Sequence, residues 1–168
     1  MKKLVFIFFM CSRAIFAQDI ALKVNPASLF FNGVEFSFEA RSSESSIISS
    51  EFTGAYIDYK INENKLSAFA AEVKLKFLLA NKVENIEGTY IAPLVSLISG
   101  KINYRDINVY GIGAVAGYQF IFQNKNKNGF LIDLFGGFIY NSASVYQLDA
   151  STITGFKPRL GISLGYAF

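Results

Sequence analysis

Ionisable side chains recur at every second position in several short stretches of this 168-residue chain. Glu35, Glu39 and Arg41 share one parity, as do Glu72, Lys74 and Lys76, and Lys23, Asp58, Lys60, Asp133 and Arg159 lie in stretches of the same alternating kind. In a β-strand, residues two apart point to one face, so each stretch would hold its charges on one side of a sheet. The chemistry open to such a set is acid–base catalysis, cation binding, a polar path for solutes, or mutual pairing.

Catalysis finds little support. The chain has no histidine, which removes Ser-His-Asp and Cys-His nucleophile activation and histidine metal sites together. Glu35 and Glu39 stand four apart on one strand face, about 13 Å along the backbone, too far for an intimate carboxylate dyad. Gly111, Gly113 and Gly117 have glycine spacing but sit mid-strand with no helix following, so they suit wall packing better than a phosphate loop. Asp106 and Asp149 read as solvated loop carboxylates. No catalytic residue, cofactor or metal site is expected, and pairing of the alternating charges is the favoured reading.

The elements that must position these charges are short. Eight candidate strands are separated by polar or glycine-containing breaks: Ile20 to Phe31, interrupted by Pro26; Val34 to Arg41; Ser50 to Ile61; Leu66 to Leu79; Thr89 to Ile98; Val109 to Phe122; Phe130 to Asn141; and the closing run ending at Phe168. Asn32-Gly33 is expected to form a tight hairpin turn. In the fourth strand Phe69, Ala71, Val73, Leu75 and Phe77 oppose Ala70, Glu72, Lys74 and Lys76. In the third, Ala55, Ile57, Tyr59 and Ile61 oppose Gly54, Tyr56, Asp58 and Lys60, which puts the last two among the charges. The fifth is apolar on both faces and its register stays open. In the last, Leu160, Ile162, Leu164, Tyr166 and Phe168 oppose Arg159, Gly161, Ser163, Gly165 and Ala167.

An apolar face of large residues opposite a face of small and charged ones describes either an outward apolar wall or a soluble calyx with the faces exchanged. Three features favour the membrane: charges cluster on the small-residue face, aromatic residues sit at strand ends where an interfacial girdle would lie, and the chain closes on Phe168. Lys2 and Lys3 precede the apolar run Leu4 to Met10, with Ala17 following, the layout of a secretory signal peptide over residues 1–17, leaving one domain over 18–168; cleavage after Ala14 is the alternative. Cys11 leaves with that segment. Removing Lys2, Lys3 and Arg13 from the 16 basic residues leaves 13, equal to the 13 acidic ones, so the basic pI argues for no nucleic-acid partner. Strands of this length match small membrane barrels, where about 9–11 tilted residues cross the bilayer. The expected fold is therefore all-β: an eight-stranded antiparallel up-and-down transmembrane barrel.

The stretches VNPASLFFNGVEFSFEARSS, AEVKLKF with IEGTYIAPLVS, GAVAGYQFIF, NGFLIDLFGGFIYN and KPRLGISLGYAF resemble an uncharacterised family of outer-membrane β-barrel proteins common in Bacteroidota, a domain of unknown function. The resemblance covers nearly the whole mature chain. The family often carries Glu-x-Arg followed by two aromatic residues mid-chain, where this chain has Glu72, Lys74 and Lys76; Arg grips a carboxylate bidentately and Lys does not. The resemblance implies a Gram-negative outer-membrane location and no activity. Tyr166 and Phe168 then match the terminal aromatic signal read by the barrel-assembly machinery, and outer-membrane lipid is the other expected partner.

The interior of an eight-stranded barrel is just wide enough for side chains to fill it. Lys23, Glu35, Glu39, Arg41, Asp58, Lys60, Glu72, Lys74, Lys76, Asp133 and Arg159 are therefore expected to form a packed lumen network in a non-enzymatic barrel, structural or interacting through its external loops. The competing expectation is a barrel that transports or holds a small solute or lipid-like ligand, signalled by a lateral opening or an apolar cavity.

Overall fold

The computed structural model describes residues 19–41, 46–61, 64–79, 86–102, 105–123, 128–145 and 154–168. The expected signal peptide and its cleavage sites, most of the inter-strand turns and Asp149 lie outside the described residues. Eight antiparallel strands pair in chain order and close into a barrel: β1 Asp19–Val24, β2 Gly33–Arg41, β3 Ile48–Ile61, β4 Asn64–Leu78, β5 Gly88–Ile102, β6 Arg105–Gln123, β7 Gly129–Val145 and β8 Gly155–Ala167. Closure is made by β1 against β8, from Ala21↔Ala167 to Val24↔Leu164, with Ile20 and Phe168 exchanging backbone hydrogen bonds at the end. The ladder is continuous around the barrel except where β1 ends at Val24, beyond which β8 from Gly155 to Ser163 pairs with β7 alone.

The pleat sorts the sequence cleanly. Phe36, Phe69, Ile112, Phe138 and Leu160 stand on the outside, while Glu39, Lys74, Gln119, Asp133 and Ser163 are buried within. Glycine on the inner face admits bulky neighbours: a Cβ on Gly161 would collide with the Phe135 ring, and one on Gly117 would sit 2.6 Å from the Tyr90 hydroxyl.

Three expectations are corrected. The first strand does not run to Phe31; it stops at Val24, and Pro26–Phe31 forms a 3-10 turn. Asn25 caps it, its side chain accepting from the Ala27 N–H, and Pro26 opens it with the fixed φ that a helical first turn favours. Asn32-Gly33 is accordingly not a two-residue hairpin turn: Asn32 alone is left-handed, at φ 48°, and closes the 3-10 turn. In β3 the faces are the reverse of those expected. The register aligns Glu39 with Glu51, Ser37 with Thr53 and Glu35 with Ala55, so Glu51, Thr53, Ala55 and Ile57 face inward. Tyr56 and Asp58 then face outward, and Lys60 occupies a position of that same outer face. The large outer aromatics Phe52 and Tyr56, the latter stacked 4.9 Å from Phe69, override the weaker Ala55–Ile57 apolar signal. β5, left open, turns Tyr90, Ala92 and Leu94 inward.

Candidate functional site: a buried charge cluster and a side vestibule

The inner face is layered along the barrel axis. At the end where β1 begins and β8 finishes, Ala21, Ile86, Ile121, Leu131 and Ala167 form an apolar plug. Ile86 belongs to the connection before β5, and its carbonyl accepts a 2.6 Å hydrogen bond from the Gln119 side chain.

Above the plug lies a cluster of three ammonium groups and three carboxylates, all buried. Lys23 pairs with Glu39, with Glu51 at 2.7 Å and with Asp133 at 2.9 Å. Lys76 pairs with Glu39 at 3.0 Å, Glu51 at 2.7 Å and Asp133 at 2.8 Å. Lys74 completes the set, 2.7 Å from Glu51. Neutral partners fill the remaining valences: Ser49 donates to Glu39 at 2.5 Å, Tyr90 donates to Asp133 at 2.8 Å, and the Gln119 carbonyl accepts from Lys23 at 2.8 Å and from Lys76. Glu39 and Glu51 oppose each other across β2 and β3, an arrangement that repels unless countered. Lys23 and Lys76 each bridge both carboxylates and counter it. The carboxylates of Glu39, Glu51 and Asp133 lie within 4.8 Å of one another, a spacing that suits a cation, and the cations standing there are the chain's own lysines.

The next layer is mixed. Phe135 packs with Leu94, Val115 and Ile139, and its ring lies 4.4 Å from the Lys74 ammonium and 5.9 Å from the Arg159 guanidinium, both within cation–π range. Glu72 joins the two cations, 3.3 Å from Lys74 and 3.3 Å from Arg159.

Beyond this layer the interior opens into two adjoining cavities of about 260 and about 320 Å³ that share Glu35, Ala55, Ile57 and Arg159. One extends into the lumen past Glu72, Ser96 and Asn141. The other extends sideways to Asn25, Ala27 and Ser28 of the 3-10 turn and to Leu160, an outer-face residue 76 % exposed. The barrel wall is therefore breached between the 3-10 turn and β8. Among the described residues, Glu35 has no side-chain hydrogen bond or ion pair, and the Arg159 Nε is buried without a hydrogen-bond partner.

Of the residues expected in a lumen network, Lys23, Glu39, Lys74, Lys76 and Asp133 meet in the cluster, and Glu72 and Arg159 form its upper extension. Arg41 pairs with Asp19 at the terminus end. Glu35 stands apart in the vestibule, Asp58 lies on the outer face, and the side chain of Lys60 is outside the described residues. Tyr166 and Phe168 stack at 5.0 Å on the outer face beside the closing seam. Sequence reasoning missed Glu51, Gln119 and Tyr90; the Ser49–Glu51–Thr53 alternation of small and polar residues opposite Phe52 was the available signal for the first.

A closed eight-stranded antiparallel barrel with a buried charge cluster in its interior defines the class. Residues 3–168 match the DUF3575 family, described as protein of unknown function, and the chain belongs to that family. No curated protein and no solved structure matches it.

Proposed function

We propose that this protein is a non-enzymatic integral outer-membrane barrel, closed to through-flow, that acts at the membrane surface through the loops at the end opposite its termini. The observation that carries the reading is the outer wall. Among the described residues no charged side chain occupies the outer face from the level of Tyr56, Phe69 and Tyr110 to Phe168; Asp58, Lys101 and Asp106 lie beyond it. Tyr110 to Phe122 spans about 41 Å of strand, or about 31 Å along the axis at a tilt of about 40°, close to the apolar belt of outer-membrane barrels. Aromatic pairs rim the belt: Tyr140 with Phe156 at one side, Phe122 with Phe130 and Tyr166 with Phe168 at the other. Exposed apolar patches of this extent are rare on soluble monomers. The apolar plug and the charge cluster support the non-conducting part of the proposal.

The purified protein should migrate faster unboiled than boiled on a detergent gel, be recovered from the outer-membrane fraction, and give no steady conductance in planar bilayers. Recovery from the soluble periplasm without a heat shift would support a calyx instead, and stable single-channel currents would support transport through the lumen. The lateral breach beside β8 favours a second reading, a barrel that also holds a lipid-like ligand.

A further inference from the structure

Phe168 exchanges backbone hydrogen bonds with Ile20 of β1. Backbone groups alternate sides along a strand, so Ile162, Leu160, Pro158 and Phe156 also turn theirs toward the β1 side. There β1 has already ended, its last pair with β8 being Val24↔Leu164. From Gly155 to Ser163, β8 pairs with β7 alone. An open edge facing hydrocarbon is unfavourable and occurs only where it lines protein or a polar cavity. Pro158, which has no N–H, removes one donor from that edge, and the 3-10 turn and the vestibule lie along the rest.

We propose that this vestibule binds the headgroup of a zwitterionic membrane amphiphile of the phosphoethanolamine type, with its phosphate on Arg159 and its ammonium on Glu35. The acyl tail leaves through the gap between the 3-10 turn and β8, over Leu160, into the surrounding lipid; the inference rests on the membrane reading above. Charge complementarity selects the headgroup, because among the described residues the vestibule offers the Glu35 carboxylate without a partner and the Arg159 guanidinium, paired with Glu72 but with its Nε unfilled, while Lys157 on the same wall adds a second cation on the phosphate side. Size agrees: the adjoining cavities of about 260 and about 320 Å³ equal roughly nine and eleven waters' share of liquid volume, room for a headgroup. The ammonium is primary. Among the described residues no aromatic side chain lines either cavity, whereas quaternary ammonium groups are held by aromatic cages, and a primary ammonium can donate hydrogen bonds to Glu35.

The test is native mass spectrometry of the full-length protein in a non-ionic detergent, titrated with three single-chain probes: lysophosphatidylethanolamine, lysophosphatidylcholine and lysophosphatidate. The wild type should retain the ethanolamine probe about tenfold or more over the other two, since the choline ammonium cannot donate a hydrogen bond to Glu35 and lysophosphatidate offers it no cation. Glu35→Gln should abolish the preference over lysophosphatidate, and Arg159→Lys, which keeps the charge and deletes the Nε donor, should weaken retention of all three probes, since each carries a phosphate. Among the described residues Glu35 makes no ion pair, so its variant decides the question even if Arg159→Lys misassembles. Equal retention of all three probes, preference for lysophosphatidate, or an unchanged preference in Glu35→Gln would overturn the proposal. Retention is read in detergent, whereas the membrane reading fails on fractionation and heat shift, so the two failures are separable.

Discussion

Replacing Lys76 by methionine deletes one of three ammonium groups from a cluster that is otherwise balanced. Lys76 contacts Glu51 at 2.7 Å, Asp133 at 2.8 Å and Glu39 at 3.0 Å, with no solvent exposure. After the substitution three carboxylates within 4.8 Å of one another would face only Lys23 and Lys74. A single contact between unit charges at about 4 Å is worth about 4 kcal/mol at an effective dielectric constant of about 20, and the desolvation of Lys76 itself offsets part of this. Removing one partner of a buried pair leaves a net loss of about 3–5 kcal/mol, the magnitude expected for Lys76→Met. The companion variant Lys76→Met/Asp133→Asn restores the balance, and the amide oxygen it places at that position can still accept from the Tyr90 hydroxyl, so it should lose less than Lys76→Met alone. Stability would be followed as the fraction of heat-modifiable barrel across a urea series in micelles. The reasoning is refuted if Lys76→Met lies within about 1 kcal/mol of wild type, or if the double variant loses the sum of the two single losses.

The face assignment predicts that Leu164→Arg, on the outer wall, weakens assembly by up to about 2–4 kcal/mol according to its depth, while Ser163→Thr on the inner wall is mild; equal tolerance in a membrane-insertion assay would contradict it. Gly117→Val should cost about 1–3 kcal/mol by overpacking, because its Cβ would press on the Tyr90 hydroxyl and the Leu134 carbonyl, and the loss would be read as a lower urea midpoint than that of Gly136→Ala, where the nearest atom is a flexible Leu160 methyl.

The fold was legible wherever the two faces of a strand differ in size as well as polarity. In β4, Phe69 to Phe77 against Glu72 to Lys76 admits one orientation, and in β6 the aromatics against glycines do the same. β3 was not legible, because Ala55 and Ile57 line a vestibule and look like wall residues, while outer-face Gly54 and Asp58 look like lumen. β5 is apolar on both faces because its inner residues Tyr90, Ala92 and Leu94 pack around Phe135. The Asn25-Pro26 pair carries a helix-start signal that the apolar residues on either side of it mask by reading as one continuous strand. Membership of the site was only partly readable for a geometric reason: Lys23 meets Asp133 from the far side of the sheet order, a contact that exists only after the barrel closes.

The short β1 ties the cluster and the breach together. It holds the seam through six register pairs with β2 and four with β8, fewer than any other strand makes with its neighbours, and it ends one residue after Lys23. That lysine ties β1 to β2 through Glu39, to β3 through Glu51 and to β7 through Asp133. The ion pairs therefore anchor from the inside the strand that backbone pairing anchors least, and they do so immediately below the level where the wall opens. A longer β1 would continue the ladder along Ser163 to Gly155 and cover the vestibule's side entrance. A β1 of this length without Lys23 would lose the interior contacts that hold the seam shut. On this account the buried charges secure the short strand whose end leaves the side opening, which gives the barrel a reason to retain ion pairs where apolar packing of equal volume would serve stability as well.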